Sequence, residues 1–313
     1  MADMTYRPLG DSGLLVSAVG LGCNAFGTRI DVENTAEVVD AALEHGVTLF
    51  DTADIYGHGQ SEKLLGAALG TRRDEVVVAT KFGGDMKGLN GPDWGARGSR
   101  RYVRKAVEAS LRRLGTDWID LYQMHWPDPI TPIEETLGAL DELVTEGKVR
   151  YIGSSNFDGW QVVDADWAAR SAGYERFISA QNKYSLYDRT AEDELIPACE
   201  HVGVGILPYY PLEYGLLSGK YRRAEPAPAG SRLESRPALL EGADFDRIEA
   251  LAQFAAERGV GILDVAISGL AAQPAVASVI AGATRPEQVA ANVGALTWEP
   301  TAADLAALDE LTE

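Results

Sequence analysis

Short β-branched runs alternate with longer amphipathic stretches along the whole chain, and this alternation constrains the fold more than any other feature of the sequence. Eight runs have strand length and composition: 17–22 (SAVGLG), 48–53 (TLFDTA), 75–81 (EVVVATK), 119–125 (IDLYQMH), 149–156 (VRYIGSSN), 178–184 (ISAQNKY), 204–211 (VGILPYYP) and 277–283 (ASVIAGA). Helical periodicity fills the intervals at 33–45, 61–69, 99–114, 132–146, 159–171, 192–202, 244–258 with a continuation at 262–272, and 286–294. Gly46, Gly70, Gly115, Gly147 and Gly203 each stand just past a predicted helix, where a left-handed C-cap is wanted. Strands joined by helical crossovers run parallel, and eight such units predict closure into a (β/α)8 TIM barrel, with a doubly wound sheet as the alternative.

Some segments fall outside the eight units. YRPLGDSGLLVSAVG reads as an N-terminal β-hairpin turning at Asp11–Gly13, and TAADLAALDELTE as an extra, acidic C-terminal helix. The stretches 82–98 and 213–242 are long loops that both follow strands, so a barrel raises both from one face; loops beyond about 15 residues in a compact chain are usually functional or disordered. With no internal repeat and no linker, residues 1–313 are expected to form a single barrel domain.

Composition excludes several classes. With 28 basic and 47 acidic residues the net charge is −19, so a nucleic-acid backbone would be repelled; the excess reads as a solvated acidic surface. Cys23 and Cys199 have neither metal-ligand nor disulfide-framework spacing, and His45, His58, His125 and His201 include no HExxH pair, so no metal site is expected. The start lacks a signal-like pattern and no apolar run approaches the ~18 residues of a membrane span, which leads to the expectation of a cytoplasmic protein without membrane contacts. The glycines of GLGCNAFG (20–27) do not space as GxGxxG, and no Tyr-x-x-x-Lys pair occurs.

The strand ends carry the polar residues. Asp51 follows TLF, Lys81 follows VVVAT, His125 follows LYQM, Ser154–Asn156 follow RYIG, Gln181 follows ISA, and Tyr209 and Tyr210 follow GILP. In a barrel these rim the C-terminal face, where barrel enzymes place their chemistry. Singly, Asp51 would be a turn carboxylate, Lys81 a solvated lysine, His125 a structural histidine and Tyr56 a loop aromatic. Together they suggest chemistry. A buried lysine beside Asp51 would stay protonated, and its charge would move a neighbouring phenol down from its usual value near pH 10. With a histidine to orient a substrate oxygen, the set suits protonation of a carbonyl oxygen as hydride arrives.

YRPLGDSGLLVSAVGLG, LFDTADIYGHGQSEKLLG, VVVATKFG, SLRRLGTDWIDLYQMHWPD, LDELVTEGKVRYIGSSNF, QNKYSLYDR, YYPLEYGLLSGKY and AGATRPEQVAAN, in this order, resemble the aldo-keto reductase family over essentially the full length. The resemblance implies a (β/α)8 barrel that binds NADP(H), with NAD(H) as the alternative, and a small carbonyl or alcohol substrate. It implies a catalytic tetrad at Asp51, Tyr56, Lys81 and His125, with Tyr56 as general acid. It assigns Ser155, Asn156 and Gln181 to the nicotinamide carboxamide, Tyr209 to the nicotinamide ring, and Leu212, Tyr214 and Lys220 to the pyrophosphate. Gly282, Thr284, Gln288 and Asn292 match adenosine contacts, Arg285 is the candidate for the 2′-phosphate, and Cys23 and Asn24 line the nicotinamide side of the rim. Tyr210 stands where the family commonly has serine, and Ala291 replaces a common glutamate. Phe26, Trp126 and Phe157 are expected to build the substrate pocket with Trp94 as a lid residue. A cofactor-sensing subunit, like the potassium-channel β subunits that resemble this family, and an NAD(P)+-dependent sugar or alcohol dehydrogenase are the other readings.

Overall fold

The computed structural model describes residues 4–312. An antiparallel hairpin of β1 (Tyr6–Pro8) and β2 (Leu15–Ser17) precedes eight parallel strands: β3 (Val19–Gly22), β4 (Leu49–Asp51), β5 (Val77–Phe82), β6 (Ile119–Met124), β7 (Val149–Ser155), β8 (Phe177–Gln181), β9 (Gly205–Ile206) and β10 (Val279–Gly282). Each pairs with its sequence neighbour, and β10 pairs with β3. The ring closes between β9 and β10 through parallel bridges at Ile206–Val276 and Tyr209–Ile280, with the Ile280 amide donating to the Pro208 carbonyl at 3.0 Å. The fold is therefore the (β/α)8 barrel with an N-terminal hairpin. β9 is far shorter than the run 204–211 suggests, because Pro208 and Pro211 have no N–H for a ladder.

The helices are α1 (Val32–Glu44), α2 (Gln60–Leu69), α3 (Arg100–Leu114), α4 (Ile133–Thr145), α5 (Gly159–Ala172), α6 (Leu195–Val202), α7 (Pro237–Glu241), α8 (Phe245–Glu257), α9 (Ile262–Ala271), α10 (Pro286–Gly294) and the additional α11 (Ala302–Thr312). The expected 192–202 helix begins late, after a separate 3-10 turn at Thr190–Glu192. The segment 213–242 is only partly irregular, since it holds a 3-10 turn at Glu213–Ser218 and the short α7. Gly115 and Gly203 are left-handed caps as expected, whereas Gly70 has φ 52° and ψ −121° because the chain turns there into a second 3-10 stretch, Gly70–Glu75. Among the described residues no helix is long and apolar enough to cross a membrane.

Two apolar layers hold the barrel. Outside the sheet, residues such as Val38, Leu65, Val107, Leu140 and Val162 bury the inner helix faces. Inside, Leu9 and Val16 of the hairpin pack with Leu49, Ala79, Leu121 and Leu207, and the Asp11 amide donates to the Gly203 carbonyl at 2.8 Å, so the hairpin fills the N-terminal end. Side chains alternate along a strand, so the residues two places beyond Leu49, Ala79 and Leu121 also face inward, one layer higher. Those residues are Asp51, Lys81 and Gln123, all buried.

Helices α2 and α3 touch backbone to backbone: a Cβ on Gly66 would sit 2.1 Å from the Leu114 carbonyl oxygen. We expect Gly66→Ala to destabilise the protein by about 1–3 kcal/mol by forcing the helices apart. A urea titration checks this, and an unchanged midpoint would show that the crossing gives way freely.

Candidate active site

Lys81, fully buried, organises the C-terminal face. Its Nζ donates to both oxygens of Asp51 at 2.7 and 2.9 Å, to the Thr52 carbonyl at 2.9 Å and to the Tyr56 hydroxyl at 3.3 Å. Asp51 Oδ1 also accepts from Gln181 Nε2 at 2.8 Å and Gln123 Nε2 at 3.3 Å. Burial alone would lower the Lys81 ammonium; Asp51 and then Tyr56 outweigh it and hold it above its ordinary range.

Tyr56 opens a 3-10 turn, Tyr56–Gly59, in which Gly57, His58 and Gly59 are all left-handed (φ 55°, 52° and 87°). A Cβ on Gly59 would lie 2.5 Å from Arg113 Cδ, so this turn admits only glycine there. The phenol departs from expectation. Enclosure raises it above its usual value, and Lys81 only opposes the rise. The reason is that Asp51 already neutralises the ammonium, so the cation returns less than desolvation removes. Tyr56 therefore keeps its proton at neutral pH, and as it accepts from Lys81 its own O–H stays available to donate.

His125 is neutral, held well below the ordinary histidine range by burial and then by Lys81. Its ring stacks on Trp126 with centroids 3.7 Å apart and meets Tyr56 edge-on at 5.9 Å. Nδ1 has no hydrogen-bond partner among the described residues.

A cavity of about 520 Å³ runs from Asp51, Tyr56 and His125 to Thr284, ahead of α10, and to Gln288 and Asn292 on that helix. Cys23, Asn24, Ser155, Asn156, Gln181, Tyr209, Leu212, Tyr214, Lys220 and Gly282 also line it. Asn156 is left-handed (φ 58°); its Nδ2 donates to the His125 carbonyl at 2.9 Å and its Oδ1 accepts from the Tyr209 hydroxyl at 2.7 Å. Ser155 Oγ donates to the Gln181 carbonyl at 2.8 Å. Tyr210, Glu213, Tyr214, Gly215 and Gly219 all have positive φ, which folds the segment after β9 back along the cavity. Thr284, just ahead of α10, is tied to Gln288 on that helix, its amide and hydroxyl donating to Oε1 at 2.7 and 3.0 Å.

Four expected residues lie elsewhere. Arg285 occupies the extended N-cap position of α10, exposed and off the cavity wall. Phe26 and Phe157 are buried in the core outside the sheet, Phe157 edge-on to Phe177, so neither walls the cavity. Trp94 is 74 % exposed, with the Arg101 guanidinium 4.3 Å above its ring, and does not reach the cavity; only Trp126 of the expected substrate residues is on the wall. The arginines on the wall are Arg29 and Arg232, which sequence reasoning missed. Arg232 stands 4.9 Å over the Tyr210 ring and 5.1 Å over that of Tyr214, and burial, then Arg232, lowers Arg29. Among the described residues neither arginine has an ion-pair partner, which leaves positive charge on the wall of a chain of net charge −19. Gln123 was also missed, although it shares the inward face of β6 with His125.

A parallel barrel whose C-terminal face gathers a carboxylate, a lysine, a tyrosine and a histidine at the end of a long cleft defines a class of carbonyl-handling barrel enzymes. Residues 18–313 match the Aldo/keto reductase family model. An uncharacterized oxidoreductase of Bacillus subtilis is 38 % identical over 94 % of this chain and 91 % of its own. The NADH-specific methylglyoxal reductase of Escherichia coli is 36 % identical over 99 % of both chains, and a probable voltage-gated potassium channel subunit beta of Arabidopsis thaliana 34 % over 95 % and 92 %. The chain belongs to the aldo/keto reductase family. It is an oxidoreductase acting on carbonyl compounds.

Removing the Asp51 charge leaves a buried ammonium whose proton is pushed off by burial, the largest influence on it, with Tyr56 the remaining opposing group. We expect Asp51→Asn to cost about 3–5 kcal/mol, as for other broken buried pairs. The loss should be larger at low pH, where Lys81 must stay charged, and shrink as pH rises and Lys81 deprotonates. Denaturant unfolding at several pH values measures this, and a pH-independent loss would count against it.

Proposed function

We propose that the protein reduces aldehyde or ketone groups of small molecules to alcohols, with NADPH as reductant and Tyr56 as general acid. The observation that carries this reading is the geometry around Lys81: one ammonium donates to Asp51 and to Tyr56, so the phenol is supported in both its protonated and its ionised form while its hydrogen is free for a substrate oxygen. The reduced dinucleotide, when bound, supplies the hydride to the carbonyl carbon. The carbonyl oxygen takes its proton from Tyr56, and Lys81 stabilises the phenolate left behind. Neutral His125 orients that oxygen through a ring nitrogen and competes for no proton.

The cleft residues suit a dinucleotide. Ser155, Asn156, Gln181 and Tyr209 cluster beside Tyr56 for the nicotinamide; Leu212, Tyr214 and Lys220, with Arg29 and Arg232, suit the phosphates; Gly282, Thr284, Gln288 and Asn292 suit the adenosine. NADH is the second reading of the cofactor, favoured by Arg285 standing off the wall and by the name of the E. coli relative. A cofactor-sensing role rests on the channel-subunit relatives, and an alcohol-oxidising role on the reversibility of the same proton transfer. Buried, unpaired Cys23 and Cys199 accord with a reducing, cytoplasmic setting.

The test is loss of reduced-nicotinamide absorbance with NADPH and, separately, NADH against aromatic aldehydes, quinones, ketones and aldoses. Tyr56→Phe should lower kcat by about 10²–10⁴, and Arg232→Ala should raise the KM for the dinucleotide about tenfold. Unimpaired Tyr56→Phe would sink the acid assignment, and tight NADPH binding without turnover would favour the sensor. His125 lies below 6.5 and Tyr56 above 10.0, so kcat at saturating substrate should be level between these values and fall only as Tyr56 loses its proton. An inflection near neutral pH would contradict the neutral histidine.

A further inference from the structure

A second buried polar cluster lies beside the cleft, under loop 83–98, and nothing in the proposed chemistry uses it. Asp54, fully buried and two residues before Tyr56, accepts through Oδ2 from Asn90 Nδ2 at 3.0 Å. Asn90 belongs to the loop, and its Oδ1 accepts from Arg113 Nη1 of α3 at 3.0 Å. Arg113 Nε donates to Glu62 of α2 at 2.5 Å, and Glu62 Oε1 accepts from Thr80 Oγ1 of β5 at 2.7 Å. Thr80 precedes Lys81. The chain of bonds thus begins next to the tyrosine, passes through the loop and ends next to the lysine.

The start of the same loop is wedged between residues adjacent to Tyr56 and His125. A Cβ on Gly84 would lie 3.1 Å from Ile55 Cδ1 and 3.4 Å from Trp126 Cζ3, and Tyr102, which Asn90 also approaches, donates to the Gly84 carbonyl at 3.4 Å. Beyond Gly84 a cavity of about 300 Å³ shares Trp126 with the main cleft, with Asp85, Arg97 and Asp128 on its other sides. No residue of loop 83–98 lines the main cleft. The loop therefore bears on the space around Trp126 and leaves the dinucleotide residues alone.

We propose that Asp54 is a positioning residue that, through Asn90, fixes loop 83–98 against the segment bearing Tyr56 and so sets the fit of the carbonyl substrate. The proposal rests on the reading of Tyr56 as the acid. A carboxyl suits this place only while protonated. The charged and titratable groups around it are Glu62 on α2, Arg113 and Tyr102 on α3 and Tyr122 on β6; burial, then Glu62, pushes Asp54 up to about 8, against Arg113 and Asn90. Among the described residues Asp54 Oδ1 and the Tyr122 hydroxyl are both buried without a hydrogen-bond partner, so ionisation would set a charge with one oxygen unsatisfied beside Glu62. The folded value is above the unfolded one, 3.8, so the stabilisation from the neutral carboxyl is lost as pH rises towards about 8.

The experiment is steady-state kinetics across pH for the wild type, Asp54→Asn and Asn90→Ala, with the dinucleotide Kd from fluorescence titration. Asn90→Ala should raise the KM for the carbonyl substrate about tenfold with kcat and dinucleotide Kd little changed. The wild-type KM should rise as pH passes about 8. Asp54→Asn, a neutral isostere of the protonated carboxyl, should match the wild type at neutral pH and lack that rise. An unchanged KM in Asn90→Ala, an equal loss of dinucleotide binding, or an alkaline rise retained in Asp54→Asn would overturn the proposal. Full activity in Tyr56→Phe would overturn the acid assignment alone.

Discussion

The ion pair of Lys81 and Asp51 is the interaction on which the rest of the site depends. Enclosing an ammonium and a carboxylate costs several kcal/mol per ion, and the cost is met only when every donor and acceptor finds a partner. Here the ammonium is matched by two carboxylate oxygens, a carbonyl and a phenol, and the carboxylate by two amides besides. That demand explains why the barrel interior changes character along its axis: Leu49, Ala79 and Leu121 make an apolar floor, and the next inward layer is polar throughout. A one-residue slip between β4 and β5 would turn this layer outward and strand the charge, so the pair also holds the register.

Around this centre the protein separates two kinds of charge. Carboxylates dominate the chain, yet on the cleft wall the cations Lys220, Arg29 and Arg232 outnumber the carboxylates Asp51 and Glu287. A local positive region within an acidic body draws anions to the cleft and repels them elsewhere. The cluster of Asp54, Glu62 and Arg113 works in the opposite way: Glu62 pairs with the one cation in a closed space, and Asp54 is held neutral beside it.

The fold was legible because period-2 and period-3.6 patterning recur eight times, and the strand-end residues stood out because each interrupts an apolar run. What stayed hidden depends on distances the sequence does not contain. The balance at Tyr56 turns on Asp51 having already neutralised Lys81. Arg29 and Arg232 sit on different loops and meet only when β3 and β9 are in one ring. Phe26 and Phe157 are aromatic and close to the rim in sequence, but the chain turns both into the layer between sheet and helices. Gln123 was readable, on β6 two places before His125, but an amide inside an apolar run looks like part of a core strand.

The hairpin that fills the floor of the barrel has a kinetic corollary. With Leu9 and Val16 packed into the N-terminal end, side chains close the floor of the barrel and the described cleft lies at its C-terminal face. Any molecule lying along the cleft beneath the segment after β9 would have to pass that segment to leave.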